Sequence, residues 1–173
     1  RALGRFPRHI VHLWSVPPTP TGEGDWFENG QAGGFYSLMY LAQAIGSQRL
    51  ADPITLTVVA GPLHDIVKSD RVAPEKCTLL GACAVIPQEY ASVQCHAIDV
   101  GEYRQDDSPD MLADAIIREM KAAQREQTVA YRDGERWALG YDPVELPAAE
   151  SSRFKDEGVY LITGGLGSVG LTI

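Results

Sequence analysis

One stretch of the sequence has the residue types and the spacing that nucleotide binding requires. Residues 163–170 read Thr-Gly-Gly-Leu-Gly-Ser-Val-Gly and contain a G-x-G-x-x-G pattern that begins at Gly165. Glycines at this spacing let the chain turn sharply and bring backbone N–H groups close to a pyrophosphate, which a following helix N-terminus also attracts. An apolar, β-branched run at residues 159–162 precedes them. We therefore predict a strand, a turn and a helix start, the context in which the pattern indicates dinucleotide binding.

A complete dinucleotide site needs more chain than follows these glycines. The unit spans about 30 residues, and a side chain about 20 positions beyond the glycines reads the ribose. Only three residues follow Gly170. We therefore expect residues 158–173 to hold the first strand and the glycine-rich turn of such a site. We expect no tight dinucleotide binding by this chain alone.

Histidines and cysteines elsewhere are weaker candidates for chemistry. A metal site could be drawn from three cysteines and one histidine: Cys77, Cys83, Cys95 and His96. Six residues on a helix turn Cys83 away from Cys77, however, so we predict structural roles and no metal site. His64 follows the second predicted strand, where α/β proteins often place active sites, but no nucleophile is recognisable beside it. An odd number of cysteines favours reduced thiols in a cytoplasmic compartment.

The elements that must position these residues alternate along the chain. Apolar, β-branched runs predict strands, at residues 9–15, 54–60 and 92–99, the first of them buried. Apolar residues at helical spacing predict helices, from Gln31 to Ile45, within 74–86 and after a cap at Ser108. The dipeptide Asp133-Gly134 joins strands 128–132 and 135–139 in a tight hairpin. This order predicts an α/β fold with a mainly parallel sheet, flanking helices and a C-terminal β-hairpin.

Turn residues and apolar stripes refine the boundaries of these elements. Residues 16–30 are rich in turn residues and predict a loop. Gly46 stands where a helix C-cap is expected, Pro74 suits a first helical turn, and Pro87 is expected to stop that helix. The helix after Ser108 has an apolar stripe, formed by Leu112, Ala113, Ile116, Met120 and Ala123.

The first two predicted strands are not followed by a phosphate loop. The sequence Val16-Pro17-Pro18-Thr19-Pro20 follows the first strand, and proline has no N–H to donate to a phosphate. Gly61-Pro62-Leu63 follows the second strand and is no better suited. About the first 140 residues therefore have the strand–helix alternation of a nucleotide-binding fold without its phosphate loop.

Length and composition bound the function classes. The chain has 173 residues, of which 45% are hydrophobic and 22% charged, which is typical of a globular domain. Its 15 basic and 23 acidic side chains give a net charge of −8. This charge argues against nucleic-acid or anionic-membrane binding, because both need clustered Lys and Arg. No apolar run approaches the roughly 20 residues of a transmembrane helix, and no signal peptide is visible.

Three short stretches of the chain together carry a family resemblance. They are Ile10–Ser15 (IVHLWS), Leu80-Gly81 with Val85–Tyr90 (VIPQEY), and Val159–Gly167 (VYLITGGLG). These stretches resemble the ketoreductase region of modular type I polyketide synthases. They occur in the family's order and spacing, and the similarity spans nearly the whole chain. The resemblance implies a reductase of two Rossmann-like halves. The N-terminal half is structural, and the C-terminal half binds NADPH and reduces the β-keto group of an acyl chain carried on phosphopantetheine.

The resemblance also implies a division of the chain. Residues 1–150 look like the structural subdomain, a truncated Rossmann-like fold, residues 151–157 like a linker, and 158–173 like the start of the catalytic subdomain. The family's NADPH phosphate loop matches eight residues: Thr163, Gly164, Gly165, Leu166, Gly167, Ser168, Val169 and Gly170. The catalytic residues of the family would lie beyond Ile173. The parent is thus expected to be an NADPH-dependent β-ketoacyl reductase, and this chain alone is not expected to catalyse a reaction.

Partners follow from the same resemblance. They are the catalytic half of the same polypeptide, neighbouring synthase domains and an acyl carrier protein, in a homodimeric parent.

Two alternatives stay open. The chain could be the N-terminal part of a stand-alone NAD(P)-dependent reductase. The parent could also be an inactive reductase that serves as a scaffold for a neighbouring methyltransferase or dehydratase.

Overall fold

The computed structural model describes residues 6–17, 25–48, 50, 52–102, 109–122, 126–145 and 154–172. The chain divides into two compact units, Arg1–Gly140 and Tyr141–Ile173. The first unit contains all the helices and strands found in the described residues. In chain order they are β1 (His9–Ser15), α1 (Trp26–Gln31), a π-helical turn (Ala32–Tyr36), α2 (Ser37–Gly46), β2 (Ile54–Ala60), α3 (Pro74–Glu89), β3 (Val93–Asp99), α4 (Pro109–Lys121), β4 (Thr128–Arg132) and β5 (Glu135–Ala138). None of the described helices combines the length and the apolar character needed to cross a bilayer.

The five strands form one sheet whose spatial order is the chain order, β1-β2-β3-β4-β5. The first four strands are parallel, and β5 runs antiparallel to β4 through the hairpin. Asp133 and Gly134 have φ values of 51° and 80°, as the turn of a two-residue hairpin demands. The predicted fold class, a mainly parallel sheet with flanking helices and a C-terminal hairpin, is confirmed.

Side chains alternate between the two faces of the sheet and form two apolar clusters. On one face, β2 and β3 pack against α2 and α3, through residues that include Leu38, Ile45, Leu56, Val58, Leu79, Cys83 and Ala97. On the other face, a smaller cluster contains Val59, Ile98, Ile116 and Val129. All seven residues of β2 are buried, because helices or neighbouring strands cover it on every side. By contrast, β1 is an edge strand in which three of seven residues are exposed and only two are buried, so the prediction that it is buried was wrong.

The first helical segment begins earlier than predicted. Helix α1 starts at Trp26, and the Asn29 amide already donates to the carbonyl of Asp25 at 2.9 Å, so residues 26–30 are not loop. Gly46 is the last residue of α2 rather than its cap. A Cβ at this position would overlap the ring of Tyr90, whose Cδ1 would be 2.7 Å away. Close packing of α2 against Tyr90, rather than chain reversal, therefore accounts for this glycine.

Helices α3 and α4 also differ in detail from the prediction. Pro87 does not stop α3, which continues to Glu89, because a proline in the last turn removes only one backbone hydrogen bond. On α4, Ile116 is buried as predicted, but Ala113 is exposed, and Ala123 and the Ser108 cap lie outside the described residues. Glu119 is buried on this helix, which an apolar stripe could not predict.

The second unit contains no helix or strand among its described residues, so the strand predicted at residues 159–162 is wrong for this structure. Val159 and Leu161 are 99% and 93% exposed. A strand needs a neighbour for its backbone N–H and C=O groups. The described residues of this unit contain no paired strand.

Candidate functional site

The carboxyl ends of the parallel strands meet at one edge of the sheet, where α/β proteins usually bind their ligands. Asp99 is the last residue of β3, and its side chain is completely buried. It accepts hydrogen bonds from the amides of Leu63 at 3.0 Å, His64 at 2.9 Å and Gly101 at 2.9 Å. The His64 ring adds a bond from Nδ1 at 3.0 Å, which must carry the proton because a carboxylate only accepts. Asp99 therefore joins the loops that follow β2 and β3.

Arg132, the last residue of β4, links this carboxylate to a second one. Its Nη2 donates to Asp99 Oδ2 at 3.1 Å, and its Nε donates to Asp70 Oδ1 at 2.8 Å. Nη2 also donates to the carbonyl of His64 at 3.1 Å, and Nη1 donates to that of Tyr131 at 2.9 Å. The guanidinium side chain is only 6% exposed. It therefore lies between two buried carboxylates and closes the edge of the sheet.

Asp70 anchors the loop between β2 and α3. Burial opposes its charge, but hydrogen bonds from the amides of Val67 and Ile66 and from Arg132 outweigh that effect, so the pKa of Asp70 lies below its usual range. Burial likewise acts to lower the pKa of Arg132, but the hydrogen bonds to Asp99 and Asp70 raise it. Asp70 and Arg132 thus hold each other in their charged forms.

Lys76 fixes the neighbouring part of the same edge. Its ammonium group donates to the carbonyl of Pro17 at 2.8 Å and to that of Gly61 at 3.0 Å. Burial lowers the pKa of Lys76, and the charge of Glu75 offsets part of this shift. Carbonyl groups from the loops after β1 and β2 therefore converge on a cation here, whereas a phosphate loop would present N–H groups.

The loops after β2 and β3 also touch directly. A Cβ on Gly61 would overlap the backbone of Gly101, whose nitrogen would be 2.7 Å away. Gly101 has a φ of +69°, and a Cβ there would be 3.3 Å from the Arg132 side chain. Backbones packed this closely leave no room for a pyrophosphate between the ends of β2 and β3.

A second polar cluster ties α4 to the hairpin. Glu119 accepts a hydrogen bond from the Tyr131 hydroxyl at 2.6 Å and one from Arg136 Nε at 2.6 Å. Burial opposes the charge of Glu119, but Arg136 and Tyr131 outweigh it and lower its pKa. On the neighbouring strands β2 and β3, the buried Thr57 hydroxyl lies 3.0 Å from His96 Nε2. Thr57 is only 1% exposed, so its hydroxyl is inaccessible to a substrate.

The glycine-rich loop lies in the second unit. The described backbone forms successive turns, with the Gly167 amide donating to the Gly164 carbonyl at 2.9 Å and the Leu171 amide donating to the Gly167 carbonyl at 3.0 Å. Gly164 has a φ of +71°. A Cβ on Gly170 would be 2.8 Å from the Gly164 carbonyl oxygen, so this loop requires glycine for close backbone approach. Its assignment to a cofactor stays a prediction.

The three cysteines lie in or near the core, whereas His64 lies at the carboxyl edge of the sheet. Cys83 and Cys95 are buried, Cys77 is half-buried, and all three are free thiols. Within the part of the chain that the structure describes, no group of three or more His, Cys, Asp or Glu side chains could hold a metal ion. His64, singled out by its position after β2, contacts Asp99 and lies at the polar edge. Sequence reasoning missed Asp99, Arg132 and Asp70, although an acidic residue that ends a buried strand was a usable indication for the first.

Known proteins share sequence or fold with this chain. No family model matches the chain. The chain is 28% identical to the polyketide synthase PksN of Bacillus subtilis (strain 168) over 170 residues, which cover 98% of this chain and 3% of that protein. Its fold is similar to part of a solved structure, "Adenylation, ketoreductase, and pseudo Asub multidomain structure of a keto acid-selecting NRPS module". The TM-score is 0.73 at 24% identity, over 98% of this chain and 14% of that one. The resemblance to a synthase region is confirmed, and the chain spans only a small fraction of these multidomain proteins.

Proposed function

We propose that this chain is part of the ketoreductase region of a multidomain synthase and that residues 1–150 form its non-catalytic structural half. The similarity to a polyketide synthase over 98% of the chain supports the synthase context. The fold shared with part of a ketoreductase-containing structure supports the assignment to that region. The unit Arg1–Gly140 would brace the catalytic half without contacting the hydride that is transferred.

The observation that carries this proposal is the closed carboxyl edge of the sheet. In a dinucleotide-binding fold, glycines and backbone amides at this edge receive the pyrophosphate. Here the amides of Leu63, His64 and Gly101 already donate hydrogen bonds to the Asp99 carboxylate. A buried carboxylate at this place also repels a phosphate. The unit therefore has the framework of a nucleotide-binding fold, but its own side chains fill the carboxyl edge of the sheet, where a nucleotide would bind.

The second unit would supply the start of the cofactor site. Residues 163–170 fit a dinucleotide loop in their need for glycine, since Gly170 lies too close to the Gly164 carbonyl for any side chain. When bound to the complete reductase, NADPH would supply the hydride for a β-keto group on a phosphopantetheine-linked acyl chain. We infer that this chain contributes only the glycine-rich loop to the cofactor site and that it binds no NADPH tightly by itself.

Partners and compartment belong to the same proposal. The catalytic half, neighbouring synthase domains and an acyl carrier protein would belong to one homodimeric assembly. The multidomain character of PksN and of the solved module supports further domains in the same polypeptide. The free thiols of Cys77, Cys83 and Cys95 fit a reducing cytoplasm.

The test uses the complete ketoreductase region of the parent synthase with Arg132→Met. If residues 1–150 act as a brace, this variant lowers the thermal stability of the whole reductase and leaves the KM for NADPH of the folded fraction unchanged. The exposed Arg8→Met variant should change neither quantity. A raised KM for NADPH, or an unchanged reductase stability, would overturn the proposal.

The same preparation distinguishes the alternative of an inactive parent. The unmodified region should both bind NADPH and reduce a model β-ketothioester. NADPH binding without reduction would contradict the reductase role and favour a scaffold for a neighbouring domain.

A further inference from the structure

We propose that the loops at the carboxyl edge form a binding site for a small carboxylate and that the chain's own Asp99 occupies it. The inference goes beyond the proposed function, because a brace requires a stable edge but does not require a site that accepts a free anion. It rests on the donors that surround one side chain and on the space left when that side chain is shortened.

Three backbone amides converge on the Asp99 carboxylate. The Leu63 and His64 amides reach Oδ2 at 3.0 and 2.9 Å, and the Gly101 amide reaches Oδ1 at 2.9 Å. Successive amides that point at one anion form a concave nest of the kind that binds carboxylates and phosphates in other proteins. The two loops that carry these amides are held by backbone contact between Gly61 and Gly101. The donors are therefore fixed by the backbone, as well as by the anion they bind.

Two side chains add hydrogen-bond donors to this nest, and one of them, Arg132, is a cation. Arg132 Nη2 donates to Asp99 Oδ2 at 3.1 Å, and His64 Nδ1 donates to the same oxygen at 3.0 Å. Arg132 is held independently by Asp70, through Nε bonds of 2.8 and 3.0 Å, and so does not depend on Asp99 for its position. Asp70 in turn is held by the amides of Ile66 and Val67. The cation would therefore stay in place if the Asp99 carboxylate were removed.

The dimensions of the site select the class of anion. Asp99 is completely buried, so the space available is that of one carboxylate and one methylene group. The close approach of Gly61 to Gly101 closes the site toward larger groups. Formate matches the lost carboxylate when the Cβ is kept, and acetate matches the whole side chain when the Cβ is removed. Phosphate and dinucleotides are too large for this space.

The experiment measures urea unfolding of the 173-residue chain carrying Asp99→Ala or Asp99→Gly at pH 7, in formate, acetate or chloride of equal ionic strength. Formate should stabilise the Ala variant over chloride, and acetate should be the better anion for the Gly variant. At an anion concentration ten times its dissociation constant, the unfolding equilibrium constant should fall about elevenfold.

Matched controls separate site binding from general salt effects. The unmodified chain and Asp99→Asn, in which an amide fills the same space, should respond alike to the three sodium salts. The proposal is overturned if neither shortened variant gains stability from formate or acetate over chloride. It is also overturned if both variants fail to fold in all three salts. Equal stabilisation of the unmodified chain would also overturn it. None of these outcomes decides whether the unit braces a reductase, which the Arg132→Met test addresses.

Discussion

Replacing Arg132 by methionine removes the cation from between two buried carboxylates. The side chains of Asp70 and Asp99 are 6% and 0% exposed, so water cannot replace the lost charge without opening the loops. Breaking a buried ion pair by removing one partner typically costs about 3–5 kcal/mol. Asp99 keeps its bonds from the amides of Leu63, His64 and Gly101. We therefore expect a loss near the lower end, about 3 kcal/mol, which is a large part of the roughly 5–15 kcal/mol stability of a typical domain.

The assay is equilibrium urea unfolding at pH 7, followed by tryptophan fluorescence and circular dichroism. Arg8→Met is the matched control, because the Arg8–Asp52 pair has a similar distance of 3.1 Å but side chains 66% and 71% exposed. Such exposed pairs contribute about 0–1 kcal/mol. A loss below about 1 kcal/mol for Arg132→Met, or an equal loss for the two variants, would refute the role assigned to the buried network.

Acid provides an independent measurement of the same network. Because the pKa of Asp70 is lowered in the folded state, its contribution to stability is complete above the unfolded-state pKa of about 4 and is lost as pH falls through the folded-state pKa. Arg132→Met removes part of the cause of that shift, so the variant should lose less stability than the parent between about pH 4 and pH 2. Parallel acid profiles for the two proteins would contradict this assignment.

Three further outcomes follow from individual contacts. Gly46→Ala should destabilise the chain by about 1–3 kcal/mol, because the new Cβ overlaps the Tyr90 ring. Gly81→Ala should stabilise it by about 0.5–1 kcal/mol, since Gly81 lies on an exposed face of α3 with nothing within 4 Å. Urea unfolding checks both, and the same sign for the two changes would count against the packing described. Tyr131→Phe should cost about 1.5–3 kcal/mol through loss of the 2.6 Å bond to Glu119, and an unchanged unfolding midpoint would show that this bond is not important.

Much of the fold was predictable because local patterns agree with tertiary burial. Strand β2 matches the predicted residues 54–60, since its apolar, β-branched run is buried on every side. The hairpin was equally predictable, because the Asp133-Gly134 turn is determined by its own backbone preference. Helix α1 was missed because its turn-like Asn29-Gly30 is overridden by packing against α3, where the Gln31 side chain donates to the Glu75 carbonyl at 2.6 Å.

The polar edge was much less predictable. Its members come from separate loops, and Asp99 and Arg132 are 33 residues apart in the chain. No local spacing relates such residues, and only His64 could be singled out from its place after a strand. The strand predicted at residues 159–162 failed for a different reason. Its composition favours a strand, but a strand also requires a neighbouring strand for its backbone groups, and composition does not encode that partner.

The most direct test of the closed edge is a titration of the 173-residue chain with NADPH, followed by the backbone amide resonances of Leu63, His64 and Gly101. Asp99 already occupies these three amides. We expect no saturable shift of these resonances up to about 1 mM NADPH, a concentration at which even weak site binding is detectable. Saturable, micromolar shifts at the three amides would contradict the account, because they would place a dinucleotide where the structure has a buried carboxylate.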